Sequence, residues 1–194
     1  MTNTSKEPKQ IFFAHSGGAQ GHPGEGSFDL VSSLKQQLSN EYDIHYPIID
    51  DPEVPTYKMW KKLFSAEFKR IKQPVILIGH SLGGSVLLKY LSEERPKIAV
   101  SALFLVATPL WGKNGWEVED FVLQEGFESE LKHITKVYLY HCNKDAIVPF
   151  EHLSFYKAAF PHAIVRVLDG TDHAFATGLP ELVADIQALE YVTT

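Results

Sequence analysis

A serine set among glycines follows one of the most apolar runs of the sequence. The run Val75–Gly79 leads into Gly79–Gly84, which reads GHSLGG, and apolar residues at helical spacing come next. A G-x-S-x-G turn between a strand and a helix is typical of a nucleophilic serine, because residues without Cβ atoms flank a sharply bent backbone. The helix N-terminus would also direct free N–H groups at negative charge forming beside the serine. Ser81 is therefore the predicted nucleophile; the alternative is a glycine-rich turn whose serine only caps the helix.

Two later turns supply a candidate base and a candidate acid. A hydroxyl at its ordinary pKa is a poor nucleophile, so a base, and a group that orients the base, must lie within hydrogen-bond reach. Asp145 and His173 each follow an apolar run rich in β-branched or aromatic residues, in the order serine, acid, histidine that suits a nucleophile on such a turn. Asp169 and Asp172 are alternative acids, but adjacent side chains rarely point at each other in a tight turn. The order along the chain favours Asp145.

Six short apolar runs predict the strands that must position these groups. They are Ile11–His15, Ile44–Ile48, Val75–Gly79, Ala102–Ala107, Val137–His141 and Ile164–Leu168. Segments with helical spacing lie between them: Phe28–Leu38 after Ser27 as its N-cap, a segment around Glu117–Gln124, and a last helix opening at Pro180. Runs that are apolar throughout suit strands covered by helices on both faces. The pattern predicts a three-layer α/β fold with about six mostly parallel strands, formed by one domain over 10–194 after a polar tail, 1–9.

These motifs together resemble a known superfamily. The turn Gly79–Gly84, the acid turn Asp145–Pro149 and the histidine turn Asp172–Phe175 resemble the α/β-hydrolases, in particular the small cap-less serine hydrolases of the retinoblastoma-binding protein 9 family. The likeness covers the chain from Ile11 to about Leu189. Larger members of the superfamily carry eight strands, so a count of six favours the small group without a cap domain.

The resemblance implies a role for each group. Ser81 would be the nucleophile, His173 the general base and then acid, and Asp145 the orienting carboxylate. The oxyanion hole would take one N–H from Leu82 and a second from Ser16, with Gly17 as the alternative donor. Contacts to substrate are expected from four apolar residues: Leu110, Trp111, Trp116 and Phe175.

Composition excludes several other classes of protein. The 194 residues include 18 basic and 24 acidic side chains, a net charge of −6, with no Lys/Arg-rich run that would bind nucleic acid. The longest apolar run, Ala102–Ala107, is far shorter than the roughly 20 residues of a membrane span. The single Cys142 allows no internal disulfide, and the polar first ten residues lack a signal-peptide core, so a cytoplasmic location is expected. No metal-ligand spacing emerges, so neither a metal nor a cofactor is expected.

The sequence therefore predicts a serine hydrolase that cleaves small esters through an acyl-enzyme. A thioesterase, an amidase or an acyltransferase would use the same three side chains. A protein-interaction module on a hydrolase scaffold is the alternative from another class, because fold does not fix function. A protein partner is not indicated by the residues.

Overall fold

The computed structural model describes residues 7–113 and 115–189, and six parallel strands form its central sheet. The strand order is β2-β1-β3-β4-β5-β6, and each neighbouring pair is parallel. The strands are β1 (Lys9–Ala14), β2 (Tyr42–His45), β3 (Val75–His80), β4 (Val100–Val106), β5 (Val137–Cys142) and β6 (Ile164–Leu168). β3 and β5 are buried along their whole length, which explains why their sequences are apolar rather than alternating.

Helices cover both faces of this sheet. They are α1 (Phe28–Gln37), α2 (Tyr57–Glu67), α3 (Leu82–Glu94), α4 (Phe127–Glu130), α5 (Glu151–Ala159) and α6 (Pro180–Gln187). One apolar cluster joins the sheet to α2, α3 and α5, and a second joins its other face to α1 and α6. The predicted three-layer α/β fold is confirmed. No helix in the described part of the chain is both long and apolar enough to cross a bilayer.

Two predicted elements differ from the structure. The second strand is Tyr42–His45 rather than Ile44–Ile48, because β1 pairs with it from Lys9 onward and the edge strand ends where that pairing stops. The helix expected around Glu117–Gln124 is a single 3-10 turn, Glu119–Phe121. The surrounding backbone is held by tertiary contacts instead: the Asp120 carboxylate accepts the Tyr57 N–H, and Lys89 donates to the Val122 carbonyl.

The described connections add little above the sheet. Between β4 and β5 they carry an isolated bridge from Lys113 to Trp116, that 3-10 turn and the four-residue helix α4, so no cap domain stands there among these residues. Six residues of the predicted tail, 1–6, and the last five, 190–194, lie outside the described residues.

Candidate active site

The turn between β3 and α3 holds Ser81 in a backbone conformation that side chains rarely adopt. Its φ is +51° and its ψ is −125°, and its N–H donates to the Val106 carbonyl at 2.8 Å. The flanking glycines have no room for a side chain. A Cβ on Gly79 would lie 2.4 Å from the Gly84 Cα, and one on Gly83 would lie 2.1 Å from the Ala14 carbonyl oxygen. The glycines of the motif are therefore a steric requirement of this turn.

The structure brings Ser81, His173 and Asp145 together at the carboxyl edge of the sheet. The Ser81 Oγ lies 2.9 Å from His173 Nε2. On the other side of the ring, Nδ1 lies 2.9 Å from Asp145 Oδ2 and 3.1 Å from Oδ1. Since an ionised carboxylate can only accept, Nδ1 carries the proton and Nε2 is left to accept the hydroxyl proton. This arrangement can remove a proton from Ser81 and pass it to a leaving group.

The Asp145 carboxylate is fully shielded from solvent but well supplied with donors. Burial alone would raise its pKa, but hydrogen bonds from His173 and from the Ile147 and Val148 amides outweigh burial and lower the pKa. The carboxylate therefore stays charged at neutral pH and can stabilise an imidazolium at His173.

The two alternative acids are engaged elsewhere. The Asp172 carboxylate accepts the N–H groups of Ala174 and Ala176, and so shapes the turn that carries His173. Asp169 Oδ1 accepts the Asn143 side-chain amide. Neither carboxylate has a hydrogen bond to the His173 ring.

The predicted oxyanion donors differ in availability. Leu82 is the first residue of α3, where an N–H has no partner within the helix. The Ser16 N–H already donates to Ser27 Oγ at 2.9 Å, so it is not free to hold an oxyanion, which is a correction to the preferred assignment. Gly17 lines the cavity beside Ser81, and among the hydrogen bonds of the described residues none is donated by its amide.

An open cavity of about 430 Å³ adjoins the three side chains, and two of the four predicted substrate contacts line it. Trp111 and Trp116 form one wall, with ring centroids 5.0 Å apart. Leu110 and Phe175 do not belong to the lining. The Leu110 N–H donates to the buried His152, and Phe175 packs edge-on against the His80 ring at 5.9 Å.

Other lining residues were missed in the sequence. Ile147 lines the cavity although 59% of it is exposed, and Pro55 reaches the cavity from the connection between β2 and α2. The available signal for Ile147 was its position in the acid turn, two residues after the predicted acid Asp145. No pattern in the sequence indicates Pro55, because the order of the strands in the sheet decides which connection lies beside the serine turn.

The Trp111 wall is anchored to the core. Its Nε1 donates to Ser85 Oγ at 3.0 Å, and the Ser85 hydroxyl in turn donates to the Pro109 carbonyl at 2.6 Å. Tyr156 from α5 donates to the same carbonyl at 2.8 Å. Hydrogen bonds from two helices therefore fix the start of the long connection beside the cavity.

Comparison with known proteins places the chain in a family. The model of the family described as serine hydrolase matches residues 29–174, which is most of the chain. A search of the curated proteins finds no match.

Solved structures share the fold at low sequence identity. The ydeN gene product of B. subtilis superposes with a TM-score of 0.78 at 17% identity, covering 93% of this chain and 98% of that one. An esterase from Exiguobacterium antarcticum gives a TM-score of 0.62 at 16% identity, covering 94% and 91%. The thioesterase domain from the curacin biosynthetic pathway gives 0.65 at 12% identity, covering 94% and 92%. The family match and the six-stranded parallel sheet show that this chain belongs to the serine hydrolase family and has the α/β-hydrolase fold.

Proposed function

We propose that this protein hydrolyses small, uncharged carboxylic esters through an acyl-enzyme on Ser81. The observation that carries the proposal is the continuous chain from Ser81 Oγ to His173 Nε2 and from Nδ1 to Asp145, with both hydrogen bonds at 2.9 Å. Within the serine hydrolase family, we propose that the protein belongs with the small cap-less enzymes of the retinoblastoma-binding protein 9 group, which its motifs resemble. A cytoplasmic location stays a prediction of the sequence.

The chemistry follows from the direction of these bonds. His173 Nε2 takes the Ser81 proton while the oxygen attacks the acyl carbon, and Asp145 stabilises the imidazolium that forms. The N–H groups of Leu82 and Gly17 hold the developing oxyanion. His173 then gives its proton to the leaving alcohol, and a water molecule activated by the same ring releases the acid.

The substrate class follows from the walls of the cavity. Of the described residues that line it, none is Lys, Arg, Asp or Glu, while Trp111, Trp116 and Phe121 present aromatic surface. An unpaired charge would be desolvated there without a partner, which is costly. Uncharged acyl groups are therefore favoured. A thioester, an amide or a different acyl acceptor would use the same residues.

The direct test is Ser81→Ala, with covalent labelling by a fluorophosphonate and hydrolysis of p-nitrophenyl acetate as the two measurements. The wild-type protein should label on the peptide that contains Ser81, and the variant should lose labelling and at least about a thousandfold in kcat. Labelling of the variant at another residue would contradict the assignment of the nucleophile.

A non-catalytic interaction module remains the alternative from another class. The strained Ser81 backbone speaks against it, because such strain costs roughly 1–3 kcal/mol and a module has no need of it. A folded wild-type protein that neither labels nor hydrolyses a panel of short-chain esters would favour the module.

A further inference from the structure

Ser27 occupies the N-cap position of α1 but does not cap that helix. Its side chain makes no capping hydrogen bond, although serine at this position ordinarily accepts an N–H of the first turn. The residue is fully buried, and the hydrogen-bond partners of its hydroxyl, Ser16 and His80, both lie outside α1. The hydroxyl oxygen lies 2.8 Å from His80 Nδ1 and accepts the Ser16 N–H at 2.9 Å. The hydroxyl therefore binds the turn that carries Ser81 and the loop after β1, and it does not cap α1.

His80 continues this contact to the other side of the site. It is fully buried beside Ser81, and its Nε2 lies 2.9 Å from the backbone carbonyl of His173. Because a carbonyl only accepts, Nε2 must carry the proton and Nδ1 must accept from the Ser27 hydroxyl. Burial, reinforced by the neighbouring His173, lowers the pKa of His80 to about 3, so the ring stays neutral. With the ring neutral, the Ser27 hydroxyl proton goes to His80 Nδ1 at 2.8 Å rather than to the more distant Ser16 Oγ at 3.2 Å.

We propose that Ser27 and His80 are positioning residues that couple the loop carrying the oxyanion donor to the turn carrying His173. One end of the chain fixes the Ser16 amide, and thereby the orientation of the next peptide group, Gly17. The other end fixes the backbone from which the His173 ring reaches Ser81. The inference rests on the proposed function, since it assigns these loops their part in the reaction.

The coupling has a physical reason. His173 and the oxyanion donor come from loops after different strands. His173 must be placed against the Ser81 oxygen, and the donor against the carbonyl oxygen of the acyl group that Ser81 attacks. A misplacement of about 1 Å can cost roughly a hundredfold in rate. Gln20 supports the first loop separately, donating to the Ser16 carbonyl and accepting the Ser27 N–H, so the loop is expected to keep its course when the Ser27 hydroxyl is removed.

The first experiment compares Ser27→Ala with Ser92→Ala. Ser92 is also buried and its hydroxyl donates to the Lys89 carbonyl, but it lies at the far end of α3. We expect Ser27→Ala to lower kcat for p-nitrophenyl acetate about tenfold to a hundredfold with little change in KM, and Ser92→Ala to leave both within about twofold. If Ser27 had a purely structural role, both variants would have a lower melting temperature and the folded Ser27→Ala protein would keep the wild-type kcat. That result would overturn the proposal.

A second pair separates the two contacts of the His80 ring. His80→Leu keeps the bulk and loses both hydrogen bonds, whereas His80→Gln keeps an amide that can donate to the His173 carbonyl. We expect His80→Gln to recover at least tenfold of the kcat that His80→Leu loses. Equal kcat in the two variants, both folded by circular dichroism, would overturn a role through that carbonyl.

Imidazole NMR of histidine-labelled protein gives a readout that does not depend on turnover. The His80 signals should be those of a neutral ring with its proton on Nε2. The His173 Nδ1–H resonance should shift in Ser27→Ala but not in Ser92→Ala. An unchanged resonance in Ser27→Ala would overturn the coupling. Failure of the wild-type protein to label at Ser81 would instead overturn the proposed function, so the two failures are distinguishable.

Discussion

Asp145 fixes which nitrogen of His173 carries the proton. Asp145→Asn keeps an Oδ1 acceptor for the Ile147 and Val148 amides, so the acid turn should hold its shape. The neutral amide, however, no longer favours the proton on Nδ1 or stabilises the imidazolium. We predict a loss of about 10⁴-fold in kcat for p-nitrophenyl acetate. Asp172→Asn, which keeps its Oδ1 acceptor for the Ala174 N–H, should lose less than tenfold. A larger loss in Asp172→Asn than in Asp145→Asn would show that the acid has been misassigned.

The second oxyanion donor can be tested at Gly17. A Cβ there would meet Leu82 Cδ2 at 3.5 Å, an ordinary contact, so Gly17→Ala should fold and keep its N–H. Gly17→Pro removes that N–H, and we predict a loss of about 10²- to 10³-fold in kcat relative to Gly17→Ala. Thermal unfolding of the two variants checks that the loop is intact. Equal kcat in both variants would mean that the donor is another amide.

The turn joining β3 to α3 depends on backbone packing that only glycine permits. A Cβ on Gly83 would lie 2.1 Å from the Ala14 carbonyl oxygen and 2.4 Å from that of His15, and neither atom can move without displacing β1. We predict that Gly83→Ala lowers the free energy of unfolding by about 1–3 kcal/mol, measured by denaturant titration. Gly17→Ala serves as the comparison, and a loss no greater in Gly83→Ala would contradict this account of the turn.

The sequence was most informative where one element decides the structure. An unbroken apolar run predicts β3, and the two glycines with the helical spacing after them predict α3. Ser81, Asp145 and His173 could be predicted because each lies in a turn that directly follows a strand. The edge strand β2 was misplaced because pairing with β1, rather than its own apolar residues, sets its bounds. Ser16 was preferred to Gly17 because nothing in the sequence brings the Ser27 hydroxyl to the Ser16 amide, 11 residues away.

The net charge of the protein and the lining of its cavity both disfavour substrates with an anionic acyl group. The net charge is −6, and none of the described lining residues is Lys or Arg, so an anionic acyl group meets repulsion outside and no partner inside. We predict that p-nitrophenyl pentanoate has at least about a tenfold higher kcat/KM than mono-p-nitrophenyl glutarate, whose five-carbon acyl chain ends in a carboxylate instead of a methyl group. Comparable kcat/KM values at low and high salt would contradict an uncharged substrate class.

Buried neutral histidines should make the stability of the whole molecule depend on pH above the range where carboxylates titrate. Burial lowers the pKa of His15 to about 4, against a weaker opposing effect of its hydrogen bond to the Ser16 carbonyl, and lowers the pKa of His80 to about 3. Both lie below the value of about 6.5 in the unfolded chain, so the unfolded state binds more protons as pH falls below 6.5.

The free energy of unfolding should therefore fall by about 1.4 kcal/mol per pH unit for each such histidine between about pH 6.5 and 4.5, as measured by urea titrations at several pH values. Asp145, whose pKa is lowered, adds a further loss only at more acidic pH, where its carboxylate takes up a proton. His15→Gln should flatten the slope by the share of one histidine. A free energy of unfolding that stays constant from pH 7 to 5 would mean that the buried rings are not kept neutral by the fold.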